Sequence, residues 1–108
     1  MGIKHSAPGE VTRLVPQDLD FAAAKSTALV KTKDFEAIRL CLHAGQEIPA
    51  HKAEGSITVQ CLAGRLIFTV DETPHEITAG DWLYLEGSQV HALRGLEDSV
   101  LLLTIIFV

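Results

Sequence analysis

Cysteine is scarce in the 108 residues. Cys41 and Cys61 are the only two, and each lies inside an apolar, strand-like segment. A disulfide framework is therefore not expected, and in a reducing compartment such thiols serve as small buried hydrophobes. No apolar run approaches the roughly 20 residues that a membrane-spanning helix requires. The stretch Met1 to Pro8 is polar and charged, without the apolar centre of a signal peptide, so a cytoplasmic setting is expected. Cations are few: 9 Lys plus Arg stand against 14 Asp plus Glu, a net charge of −5. With no basic stripe, neither a nucleic acid nor an anionic membrane surface is an expected partner. There is no Ser-His-Asp order, no phosphate-cradling glycine loop and no Cys-x-x-Cys pair. Internal repeats, low-complexity tracts and long segments of helical period are missing too, which excludes a parallel α/β fold.

What is present is a chain with 47% hydrophobic and 21% charged residues, enough for one buried core and an ordinary surface. The length suits a single domain. We expect a flexible leader over residues 1–9 and one β-barrel domain over 10–108. Short alternating segments separated by turns predict strands at Glu10 to Val15, Thr27 to Lys33, Phe35 to His43, Ile57 to Leu62, Leu66 to Val70, His75 to Thr78, Trp82 to Leu85, His91 to Arg94 and Val100 to Val108. Pro16 breaks the first, and Phe21 to Lys25 has room for one helical turn. Ala44 to Glu54 reads as a loop, with Pro49 fixing the approach to His51. Ile57 to Leu62 is almost continuously apolar and β-branched and suits a strand buried on both faces. Along Trp82 to Leu85 both faces are apolar, so either Trp82 and Tyr84 or Leu83 and Leu85 could look inward.

Two glycine-to-histidine blocks stand out. GQEIPAHKAEGSITVQCLAG, residues 45–64, places His51 after Gly45 and five intervening residues, and closes on Gly64. GDWLYLEGSQVHALRG, residues 80–95, runs from Gly80 to His91. This pattern resembles the cupin superfamily, the small jelly-roll barrels, from about Thr27 onward. Its first motif is glycine, five residues, His-x-His, three or four residues, Glu, six residues, glycine. Its second is glycine, five residues, Pro-x-Gly, two residues, His, three residues, Asn. Here Glu86, Ser88 and Gly95 stand at the proline, second-glycine and asparagine positions. The resemblance implies an all-β, single-domain jelly roll, a double-stranded β-helix barrel.

The family's metal ligands map to His51, Ala53, Ile57 (Thr58 with a loop one longer) and His91. Methyl and sec-butyl groups have no lone pair to donate, so two of four ligands remain. A catalytic metal normally takes three protein ligands. Glu54, three residues after His51, is the candidate third ligand for a divalent transition metal; otherwise it is a solvated loop carboxylate. His51 and His91 could each be a satisfied core group, a ligand handle or a proton shuttle. The family's inward parity places Ile57, Val59 and Cys61 inside, giving a pocket that is apolar around two imidazoles. Cys61 has no obvious base beside it and is not read as a nucleophile. His5 and His75 are expected to be solvated.

Two functions follow from the resemblance. The first is binding of a small, largely apolar molecule in the barrel, or service as a dimeric accessory or regulatory domain. The alternative is a metal-dependent enzyme, of oxygenase or isomerase type, using His51, His91 and an improvised third ligand. The apolar content of Ile57 to Leu62 and of the Leu101 to Val108 tail predicts a homodimer.

Overall fold

A computed structural model of the chain describes residues 5–15, 20–21 and 25–107. Nine strands occur among them: β1 (Thr27–Lys31), β2 (Phe35–Leu42), β3 (Glu47–His51), β4 (Ser56–Ala63), β5 (Arg65–Val70), β6 (Thr73–Thr78), β7 (Trp82–Leu85), β8 (His91–Gly95) and β9 (Ser99–Ile106). They form a five-stranded sheet in the order β1-β2-β9-β4-β7 and a four-stranded sheet in the order β3-β8-β5-β6. Every ladder is antiparallel, and the chain is an all-β jelly roll. No helix among the described residues is long and apolar enough to cross a membrane.

The core follows from alternation along strands whose one face is buried. In β4, Ile57, Val59 and Cys61 are buried while Gln60 is exposed. Their partners on β9 are Ile105, Leu103 and Leu101. From the four-stranded sheet, Leu66, Phe68, Ile77 and Leu93 join the same cluster. β4 lies between β9 and β7, yet only the face of Ile57, Val59 and Cys61 is buried; the burial on both faces expected from its composition is not found, because no layer of the described residues covers the side that carries Gln60. Leu83 and Leu85 turn inward and Trp82 and Tyr84 outward, with the aromatics 62% and 52% exposed.

Two of the motif glycines occupy conformations that only glycine adopts easily. Gly64 has φ +89°, and a Cβ there would lie 2.3 Å from the Asp98 carbonyl oxygen; the β4–β5 turn thus runs against the start of β9 without room for a methyl group. Gly80 has φ +96°, and its N–H donates to the Cys61 carbonyl at 2.8 Å, seating the second motif on β4.

Two expected assignments along the chain are also corrected. Glu10 to Val15 forms no strand; it follows a turn in which the Glu10 N–H donates to the Ala7 carbonyl. Its apolar Val11, 87% exposed, has no layer to pack against. Ala44 to Glu54 is not wholly a loop, since it contains β3. That strand is a sheet edge paired only with β8, where Pro49, lacking an N–H, is tolerated. Met1 to Lys4, Pro16 to Leu19, most of the expected helical turn at Phe21 to Lys25, and Val108 lie outside the described residues. Within the expected leader, the Ser6 N–H donates to the Leu29 carbonyl on β1 at 2.7 Å.

Candidate functional site

The site begins with an irregularity in β3. Glu47 and Ile48 pair with Arg94 and Leu93, but the next partner of β8 is His51, opposite His91, so one extra residue is accommodated between them. Strict alternation from Ile48 would turn residue 50 inward. The bulge shifts the parity by one, and Ile48 and His51 come to line the same cavity. Re-aiming a side chain in this way is a common use of β-bulges.

His91 is held from the other side. The β5–β6 connection is a two-residue hairpin turn, Asp71 and Glu72, both with positive φ, as type I′ turns require. The Asp71 carboxylate accepts the Val90 N–H at 3.0 Å and the Gln89 side-chain amide at 3.1 Å. The Asp71 N–H donates to the Val90 carbonyl. Gln89, fixed in this way, offers its backbone carbonyl to Nδ1 of His91 at 3.2 Å. His51 repeats the arrangement, with Nδ1 2.9 Å from the Pro49 carbonyl oxygen. The ring centroids are 4.2 Å apart at 58° to one another, and the Phe68 ring lies parallel to His91 at 5.8 Å.

The two imidazoles border a cavity of about 130 Å³ between the sheets. The five-stranded sheet contributes Leu40, Val59, Leu101 and Leu103; the other contributes Ile48, Phe68 and Leu93 beside the two histidines. His91 is 5% exposed, whereas His51 is open to solvent and marks the mouth. Burial depresses the pKa of His91 from its usual value; the Gln89 carbonyl opposes the shift, and any charge on His51 adds to it.

Of the residues expected in the pocket, His51, His91 and Val59 line the cavity. Ile57 and Cys61 are buried in the core on the same face of β4 but do not border it. The Cys61 thiol is pushed up in pKa, mainly by burial, with its Sγ 3.5 Å from the Ala63 carbonyl oxygen. That environment disfavours the nucleophilic thiolate. Both cysteines are free and buried. Glu54 is exposed and does not join the histidines. Among the described residues no three His, Cys, Asp or Glu side chains gather to hold a metal ion. The donor set is two imidazoles, which does not fit a catalytic metal centre with three protein ligands.

The match to the cupin domain family covers residues 38–107 and so takes in both histidines and the strands that carry them. The chain belongs to the cupin family. No curated protein sequence matches it significantly. Among solved structures, this cupin is similar to a conserved protein of unknown function from Streptococcus pyogenes, with 25% identity and a TM-score of 0.79 over 98% of this chain and 94% of that one. It is also similar to an RmlC-like cupin from Desulfovibrio desulfuricans, with 23% identity and a TM-score of 0.75 over 89% and 95% of the two chains. A cupin superfamily protein from Desulfitobacterium hafniense aligns with 17% identity and a TM-score of 0.74 over 89% and 97%. The last two likenesses concern the fold alone.

The remaining lining residues, Leu40, Ile48, Phe68, Leu93, Leu101 and Leu103, were not anticipated as site residues. The sequence signal for Phe68 was its place in the alternating run Leu66 to Val70. How deep it sits depends on its pairing with Leu93 across to β8, a relation between distant segments.

Proposed function

We propose that this cupin binds a small, largely apolar molecule in the cavity between its sheets, with His51 and His91 as the polar handles. The observation that carries the reading is the lining: seven apolar side chains surround two imidazoles, with no third metal-ligating side chain beside them among the described residues. Enclosed apolar cavities with a few polar groups are the usual form of a small-molecule site. Two measurements test it. Toluene or phenol added to ¹⁵N-labelled protein should shift the amide signals of Val59, Phe68 and Leu101 and leave the distant Ala7 to Glu10 turn unmoved. Protein purified without affinity tag or chelator should contain less than stoichiometric iron, manganese, nickel or zinc. One metal per chain, or no probe-induced shifts, overturns the proposal.

We further propose that two copies pair through the outer face of the five-stranded sheet. Cross-strand register aligns Trp82 with Gln60 and Leu102, Tyr84 with Thr58 and Thr104, and Ile106 with Phe35 on that face. Phe35 and Ile106 are 37% and 42% exposed there, an apolar display of the kind that marks contacts. These positions are uncharged, and a cation, Arg39, stands in register with them opposite Leu102. Sedimentation velocity at micromolar concentration should give a dimer; a monomer alone refutes the pairing.

A further inference from the structure

We infer that the cavity selects an uncharged molecule with an apolar body and a hydrogen-bond donor, the chemistry of a phenol, and rejects carboxylates. This rests on the ligand-binding reading above and specifies what that site prefers.

Proton placement on the two rings decides what the cavity can hold. A carbonyl oxygen only accepts hydrogen bonds, so the contacts from Nδ1 of His51 to Pro49 and of His91 to Gln89 require a proton on Nδ1 in both rings. A neutral ring protonated there carries a bare lone pair on Nε2. Among the described residues no hydrogen bond engages either Nε2; the only ring-nitrogen contacts of this pair are the two at Nδ1. Charging both rings is opposed by their 4.2 Å separation, and charging His91 also by its burial. The cavity therefore offers an occupant two acceptors and no donor.

The other lining groups are hydrocarbon, with no Lys, Arg, Ser, Thr, Asn or Gln among them. A carboxylate entering would lose its hydration and meet lone pairs, an uncompensated buried charge. A pure hydrocarbon would fill the space and leave an acceptor unpaired. A neutral donor satisfies both demands. The volume of about 130 Å³ is close to that of cavities, on the order of 150 Å³, that accept a benzene ring, which limits the body to roughly one six-membered ring.

The test uses untagged protein, treated with chelator, labelled with ¹⁵N at histidine and held at about pH 8, above the ordinary imidazole range and below that of phenol. Three probes are titrated: phenol and toluene, of equal heavy-atom count, and benzoate, which is larger and is read against neutral benzamide of its own size. Phenol should bind about five- to tenfold more tightly than toluene, the worth of one net hydrogen bond. It should also move the Nε2 resonance of His51 or His91 upfield while the Nδ1 resonances stay nearly fixed. Benzoate should not bind. The variant His51→Leu, altered at an exposed position, should narrow the phenol-to-toluene ratio if His51 is the acceptor; His91→Phe serves the same purpose for the other ring. Toluene binding as tightly as phenol, benzoate binding comparably, or an unmoved Nε2 on phenol binding would overturn the donor preference while leaving the ligand-binding reading intact. Failure of all three probes overturns both.

Discussion

Leu101 is where packing and pocket meet, and Leu101→Ala separates their energetics. The side chain is fully buried, opposite Leu40 on β2 and Cys61 on β4, and it borders the cavity. Removing its three outer carbons forfeits about 0.8 kcal/mol each, or about 2.4 kcal/mol of transfer free energy. The void left behind adds to a space already present, and its neighbours are held by two ladders, so little collapse is available. A few tens of Å³ of new void at about 24 cal/mol per Å³ contributes a further 1–2 kcal/mol, for a total of about 4 kcal/mol. Domains of this size are commonly stable by about 5–15 kcal/mol, so the variant should fold with a much reduced margin. In urea unfolding, with a slope of about 1–3 kcal/mol per M, the midpoint should drop by on the order of 2 M at unchanged slope. Saturating toluene should recover part of the loss, because a ligand bound only to the folded state stabilises it by mass action. A loss below about 2 kcal/mol with no toluene recovery would mean that the sheets close over the gap, and the rigid cavity argued here would be wrong.

The other predictions are smaller in scale. His51→Ala should cost less than about 1 kcal/mol, because the exposed ring makes one hydrogen bond, to Pro49; unfolding as easily as Leu101→Ala would make His51 a structural residue. Burial lowers the pKa of His91 in the folded state, so folded protein binds fewer protons than unfolded protein. Its contribution to stability should be fully present above the unfolded value of about 6.5 and decline as pH falls through the folded value, levelling below it. The stability difference between wild type and His91→Phe, followed by urea unfolding across that range in chelator, should carry this dependence, and a flat difference refutes it. Trp82→Glu should convert the proposed dimer to monomer in sedimentation without changing the fold, since the indole is outward and 62% exposed; a dimer that persists in the variant would move the interface elsewhere.

Much of the architecture was legible because alternation and turn glycines are local signals. The runs Leu66 to Val70 and Trp82 to Leu85 could be delimited from composition, and Gly64 and Gly80 marked real left-handed turns. β3 was not legible. It is an edge strand with exposed Glu47, Ala50 and His51, it contains a proline, and its bulge breaks the period of two on which strand reading depends. The histidines of the site could be named from their spacing to glycines. The cavity around them could not, because its depth is set by pairing between segments far apart in sequence, such as Phe68 with Leu93. Parity along β4 turned Ile57, Val59 and Cys61 inward, but only register with β9 decides that the open space lies at the level of Val59.

The bulge before His51 takes up the one residue by which this stretch of β3 is longer than its partner. Pairing on either side of it is anchored independently, by Glu47 and Ile48 toward one end of β8 and by His51 toward the other. Strict alternation from Ile48 turns residue 50 inward, so deleting Ala50 would carry His51 to that inward place and let the ladder run through unbroken, with the imidazole still opposite His91. The interior is thereby indifferent to the loss of one residue at this point of the edge strand. Its two facing imidazoles depend on which residue stands opposite His91, and the length of chain before it is free to vary.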